Sequence, residues 1–145
     1  MEIGNILATK PSRIITISRG NLVREAISRL TEHRIGAIIV VDDAGDLCGI
    51  LSERDIVRWA AKNEDVFSQA VGDVMTKDVV VGVPKDDIMS VAHVMTERRF
   101  RHLPIVDDSG KVIGMISIGD VMKAQRDEYR GEIDTLETQI MAGED

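Results

Sequence analysis

Two segments of the chain share the pattern Gly-apolar-apolar-Ser-x-x-Asp: Gly49-Ile50-Leu51-Ser52-Glu53-Arg54-Asp55 and Gly114-Met115-Ile116-Ser117-Ile118-Gly119-Asp120. A Ser followed three residues later by an acid is the spacing of a helix capping box, in which the two side chains satisfy N–H groups left open by the first turn. The same groups suit a second chemistry. A helix N-terminus offers N–H donors and the positive end of a dipole to a phosphate, and a nearby carboxylate can accept two ribose hydroxyls. A nucleotide combines both demands, and the pattern occurs twice. Cations lie close by in sequence: Arg54 and Arg58 follow the first Ser, and Arg98, Arg99, Arg101 and His102 crowd together ahead of the second. They are candidate phosphate contacts, although cations near a helix C-terminus are favoured by the dipole alone.

Other reactive residue types lack the company that catalysis needs. Cys48 lies between Leu47 and Gly49 without a His-and-acid arrangement to activate it, and reads as a small buried hydrophobe. His33 and His93 have no ligand-spaced partners, so no metal is expected. Neither Gly-x-Gly-x-x-Gly nor Gly-Lys-Ser/Thr occurs, which argues against Rossmann and P-loop folds. An enzyme is not expected.

The elements that must position the junctions are themselves repeated. The segment from Gly36 overlays the segment from Arg101 without a gap, so that Val41, Asp42, Asp43, Gly45, Gly49, Ser52 and Asp55 recur as Val106, Asp107, Asp108, Gly110, Gly114, Ser117 and Asp120. In each half a short β-branched run, Ile14–Ile17 or Val79–Val83, predicts a strand. Helical apolar spacing follows, at Val23, Ala26, Ile27 and Leu30 or at Ile88, Val91, Ala92 and Met95. Two apolar runs then flank a glycine-containing turn, Ala37–Val41 with Leu47–Leu51 and Leu103–Val106 with Val112–Ile116, and predict hairpins. A second helix opens at each Ser. The expected fold is α/β in the α+β sense, with two β-α-β-β-α repeats packed by a pseudo-twofold: residues 1–62, a linker at 63–70, and residues 71–124. Residues 125–145 extend the last helix.

Composition narrows the partners. The chain has 145 residues, 43% of them hydrophobic, and a formal charge of -7, which opposes generic binding to nucleic acid or anionic membranes. The longest apolar run, Ile35–Val41, is far short of the ~20 residues of a membrane helix. No basic segment leads into an apolar one at the N-terminus, and a cytoplasmic protein is expected. One cysteine permits no intramolecular disulfide.

The two Gly-x-x-Ser-x-x-Asp junctions, Val-Met-Thr at Val74–Thr76 and Arg-His-Leu-Pro at Arg101–Pro104 together resemble a tandem pair of cystathionine β-synthase (CBS) domains, the regulatory modules also found in small free-standing bacterial proteins. That resemblance implies an adenosine-containing ligand, with AMP leading and ADP, ATP, NAD(H) or S-adenosylmethionine as alternatives. It implies a first site of Ser52 on the phosphate side, Asp55 on the ribose, Arg54, backbone groups near Ala37 and Ile38, and Val79, Val80 and Val81 against adenine. In the second site Ser117 and Asp120 match them, with Arg101, His102, Leu103, Pro104 and the strand Ile14, Ile15, Thr16 and Ile17. The sites differ: Gly36-Ala37-Ile38-Ile39 stands where the second repeat has Arg101-His102-Leu103-Pro104, and Gly82 stands where the family pattern often has Thr. The resemblance also implies a homodimer signalling to an unidentified protein target. The alternative is a structural dimerisation module in which the junctions are helix caps and no nucleotide binds.

The C-terminal stretch from Val121 to Met141 contains no Pro and spaces Met122, Gln125, Tyr129, Ile133, Leu136 and Ile140 by three or four residues. It predicts an amphipathic helix, weakened by Gly131 and carrying only a heptad or two, that packs against a second copy or folds back on its own domain.

Overall fold

The computed structural model describes residues 1–10 and 14–143. Its elements run α1 (Ile3–Thr9), β1 (Thr16–Ser18), α2 (Val23–His33), β2 (Ala37–Val41), β3 (Leu47–Ser52), α3 (Glu53–Ala60), α4 (Val71–Val74), α5 (Ile88–Arg98), β4 (His102–Val106), β5 (Val112–Ser117) and α6 (Ile118–Gly143). A single 3-10 turn occupies Val66–Ser68. The expected mixed fold is present, with one sheet ordered β1-β2-β3 and another of β4 and β5.

Two compact units form, one from Arg13–Val81 with Ser109–Val112, the other from Met1–Ser12, Gly82–Asp108 and Ile113–Asp145. Each half of the sequence therefore gives its lead-in segment to the unit of the other half: α4 belongs with β1, β2 and β3, and α1 with β4 and β5. In the first unit β1 pairs parallel to β2, with Ile17 opposite Val40, and β2 pairs antiparallel to β3, with Ala37 opposite Ser52. Ile17, Leu30, Ile38, Val40, Leu51 and Val71 close its core. Val66, within the stretch 63–70, is 1% exposed in the same core, so burial worth about 1.5–3 kcal/mol holds that segment. The hairpin turns are as expected: Gly45 and Gly110 both have φ 84, and the Asp42 carboxylate accepts from the N–H groups of Ala44 and Asp46 at 3.0 Å each.

Two strands differ from expectation. The first begins at Thr16, not Ile14, and Ile14 is 37% exposed. Val79–Val83 forms no strand; only Gly82 bridges Ile105, its N–H donating to Pro104 O and its carbonyl accepting from Val106 N, both at 2.9 Å. The next rungs of a parallel ladder would need N–H groups from Pro104 on one side and Pro84 on the other, and proline has none. In the first repeat Arg19 supplies the corresponding donor, to Val41 O at 3.0 Å, and the ladder extends.

Gly49 and Gly114 sit at matching places on β3 and β5. A Cβ on Gly49 would stand 2.9 Å from the Thr76 carbonyl, and one on Gly114 would stand 2.8 Å from Leu7 Cδ2. The segments ending in Met75-Thr76 and in Leu7 thus lie directly on a side-chain-free strand surface. Gly49→Ala is expected to destabilise the protein by about 1–3 kcal/mol, whereas Gly131→Ala, where a Cβ meets nothing, stabilises it by up to about 1 kcal/mol. Denaturant titration of both variants checks the opposite signs.

Candidate functional site

The first junction is the turn from β3 into α3. Ser52 caps the helix: Asp55 N–H donates to Ser52 Oγ at 3.2 Å, and Ser52 N–H and hydroxyl donate to Asp55 Oδ2 at 2.9 and 3.0 Å. The other carboxylate oxygen, Oδ1, accepts from the Thr76 hydroxyl at 3.1 Å. Three of the roughly four acceptor positions on Asp55 are therefore filled, all by neutral donors. The β2–β3 register sets Ala37 opposite Ser52, and Glu53 N–H donates to Gly36 O at 3.0 Å, so the backbone expected to read a base edge does abut the cap. Ala37 and Ile38 are fully buried, which leaves only their backbone groups for contact. Val79 and Val80 are half-buried and Val81 is 43% exposed, three to five residues beyond Thr76 in the same unit.

The second junction, β5 into α6, repeats the two backbone bonds of the cap, without the hydroxyl-to-carboxylate bond that Ser52 makes and with a different outside partner. Ser117 N–H donates to Asp120 Oδ2 at 2.8 Å and Asp120 N–H donates to Ser117 Oγ at 3.2 Å. Ile118 N–H donates to Arg101 O at 2.8 Å, the counterpart of the Glu53–Gly36 bond. In place of a threonine hydroxyl, Lys10 Nζ donates to Asp120 Oδ2 at 2.7 Å and to Met115 O at 2.9 Å. The Lys10 ammonium and the Ser117 N–H both bond Oδ2, and Oδ1 has no hydrogen-bond partner among the described residues. Burial alone would raise the Asp120 pKa, but the Lys10 hydrogen bond, the Ser117 N–H, the Lys10 charge and the Ser117 hydroxyl together hold it below the usual carboxylate range.

Of the remaining second-site residues, Leu103 and Pro104 are buried in β4, His102 is half-buried and Arg101 is exposed. Ile14, Ile15, Thr16 and Ile17 belong to the other compact unit, where Arg29 Nη1 donates to Thr16 O at 2.6 Å and Ile17 is buried. Arg99 ends α5 in the left-handed region at φ 57, matching Arg34 at φ 54 after α2. Arg54, Arg58, Arg98, Arg99 and Arg101 are all exposed, and none is in an ion pair among the described residues. Cys48 is half-buried against the first core, and burial pushes its thiol pKa up. His93 pairs with Glu97 at 3.3 Å.

Thr76 and Lys10 are the site residues the sequence reading missed. Thr76 closes the Val-Met-Thr motif, and Ala8-Thr9-Lys10 echoes Met75-Thr76-Lys77 two residues out of step with the ungapped overlay. That gapped match pairs Thr76 with Thr9 and Lys10 with Lys77, so it points to the segments but not to Lys10 as the partner of Asp120.

The chain that carries these two junctions is similar to known proteins. The CBS domain model matches residues 3–62 and again 71–127. This chain belongs to the CBS-domain family. It is 36% identical over 126 residues to the mitochondrial CBS domain-containing protein CBSX3 of Arabidopsis thaliana, covering 83% of this chain but only 61% of the relative's length. A CBS-domain-containing protein from Agrobacterium tumefaciens superposes with a TM-score of 0.82 at 35% identity, over 86% of this chain and 92% of the other. The CBS domain pair of protein MJ0100, solved in complex with 5′-methylthioadenosine and S-adenosyl-L-methionine, gives 0.77 at 26% identity over 88% and 98% of the two chains. CBSX2 in complex with AMP gives 0.72 at 26% identity, over 88% and 98%. Among the described residues no His, Cys, Asp or Glu cluster could hold a metal, and no helix is long and apolar enough to cross a membrane.

The Lys10–Asp120 pair predicts a pH signature. A carboxylate whose pKa is depressed by folding contributes stability above its unfolded value, and that stability is lost as pH falls through the folded value. Lys10→Met is expected to cost on the order of 0.5–1 kcal/mol near neutral pH, since the pair is partly exposed. The difference from wild type should shrink from about pH 4 downward. Thermal unfolding of both proteins across that range checks the sign.

Proposed function

We propose that this CBS pair is a regulatory module that binds an adenosine-containing ligand, AMP first among them, at its two Ser/Asp junctions. Bound ligand changes the shape a homodimer offers to a protein target. The observation that carries this reading is that each junction holds a half-exposed carboxylate in a fixed orientation beside a capped helix N-terminus and an adjacent backbone carbonyl. Relatives solved with AMP, 5′-methylthioadenosine and S-adenosyl-L-methionine support it. Ser52, Asp55, Arg54, the backbone of Ala37 and Ile38, and Val79, Val80 and Val81 form the first site on this reading. Ser117, Asp120, Arg101, His102, Leu103, Pro104 and Ile14–Ile17 are assigned to the second, with Arg58, Arg98 and Arg99 in reach of phosphates. ADP, ATP, NAD(H) and S-adenosylmethionine share the same adenosine and compete for the assignment.

The two sites are not chemically equal. A ribose hydroxyl approaching Asp55 meets a carboxylate whose partners are neutral, and displaces at most the Thr76 hydroxyl. At Asp120 the Oδ1, without a partner among the described residues, can accept a hydroxyl, while the Lys10 ammonium beside it favours an anionic ligand. A ligand alters such a module only through its differential affinity for two shapes.

A second reading, a structural interaction module with no nucleotide, is favoured by one fact: both capping boxes are complete without any ligand. Thermal unfolding with adenosine and guanosine ligands separates the two. At 100 times Kd, a ligand specific to the folded state adds about 2.7 kcal/mol, worth roughly 5–10 °C for a chain of this size. The expected result is a shift with AMP or another adenosine ligand, none with GMP, and loss of that shift in Asp55→Ala or Asp120→Ala variants that still unfold cooperatively. No shift with any ligand, with each variant merely about 1 kcal/mol less stable, supports the structural reading.

A further inference from the structure

α6 stays against its unit as far as Glu128, whose carboxylate lies 3.7 Å from the Met1 ammonium; Val121 is its one buried residue, and Tyr129, Ile133, Leu136 and Ile140 are 57, 54, 57 and 64% exposed. Placing Ile133 and Ile140 at heptad positions a puts Tyr129 and Leu136 at d, a continuous seam of apolar side chains that is left exposed among the described residues. We propose that this seam is an antiparallel contact with α6 of a second copy, in the register that sets Ile133 against Leu136 and Tyr129 against Ile140 of the partner helix. This rests on the homodimer proposed above and supplies its geometry.

The direction follows from charge. In an antiparallel pair the two e positions face each other, and in this register Arg130 meets Glu137 of the partner helix while Glu137 meets its Arg130, two opposite-charge contacts from one residue pair. The g positions bring together Glu132 and Gln139, which can hydrogen-bond. Reversing the partner sets Glu132 at g against Glu137 at e, twice, and stacks Arg126 on Arg126 at a. The antiparallel register instead puts Arg126 beside Gly143, which offers it open space. A contact in which residue i meets j and j meets i is what a twofold requires, so the face is complementary to itself and a second copy is its fitting occupant. The seam is too short to fold as an isolated coiled coil, but here the helix is already nucleated from Val121 onward and only association remains to be met.

Disulfide trapping in the full chain with Cys48→Ser tests direction and occupant together. Tyr129→Cys and Ile140→Cys are oxidised separately, then after subunit exchange in an equimolar mixture, and mass is followed by light scattering. In the antiparallel pair each cysteine is about 16 Å along the axis from its own copy and beyond disulfide reach, so only the mixture cross-links. Cross-linking of each variant alone means a parallel pair and overturns the proposal. A dimer without cross-links in any combination overturns it while leaving the homodimer standing, and a monomer overturns both. Glu137→Lys should weaken a wild-type-seam dimer about three- to tenfold at low salt, and the charge swap Arg130→Glu with Glu137→Lys should restore it. Equal dimer affinity in all three proteins would overturn the register.

Discussion

Close approach over two glycines is the constraint on which the rest of the site depends. Because Gly49 and Gly114 present no Cβ, the segments that carry Thr76 and Lys10 lie against β3 and β5 instead of being held off by a side chain. Ile50 and Thr76 then exchange both backbone hydrogen bonds, at 3.0 and 2.9 Å, and the Thr76 hydroxyl arrives at Asp55. On the other unit Lys10 reaches the Met115 carbonyl, the residue matching Ile50, and from there Asp120. One missing methyl per repeat thus fixes the strand, the lead-in segment and the carboxylate partner at once.

That constraint explains what the sequence could and could not disclose. Helices, hairpins and capped junctions were legible because each rests on local signals: apolar spacing in Val23–Leu30 and Ile88–Met95, positive φ at Gly45 and Gly110, and Ser three residues ahead of Asp. The fate of Val79–Val83 was not, because its β-branched residues speak for a strand while the ladder fails for want of N–H donors at Pro84 and at Pro104, twenty residues away. Likewise Lys10 is 110 residues from Asp120, and no period or local motif joins them. What tertiary contact decides, a linear pattern does not show.

The same capping geometry serves stability and recognition, so the site is built before any ligand arrives. Ser52 and Ser117 each satisfy an orphan N–H of the following helix, and Asp55 and Asp120 are held in place by their own cap N–H groups, which removes most of their rotamer freedom in advance. A ligand that donated to the remaining acceptor capacity would gain from that preorganisation without rebuilding the turn.

Divergence between the repeats falls on the partner of the carboxylate and leaves the cap itself unchanged. A threonine hydroxyl can donate, accept and rotate, so its bond to Asp55 yields at little cost when another hydroxyl competes. An ammonium neutralises Asp120 and resists removal, because an unpaired, half-buried carboxylate is worse than a paired one. On the proposed reading, a ligand at the first junction reports its concentration with little structural consequence. One at the second must share a cation with α1, and a ligand strong enough to draw Lys10 away would release the segment that the Gly114 surface holds. Two copies of one motif, differing in the donors to the carboxylate, can in this way answer a ligand differently on the same chain.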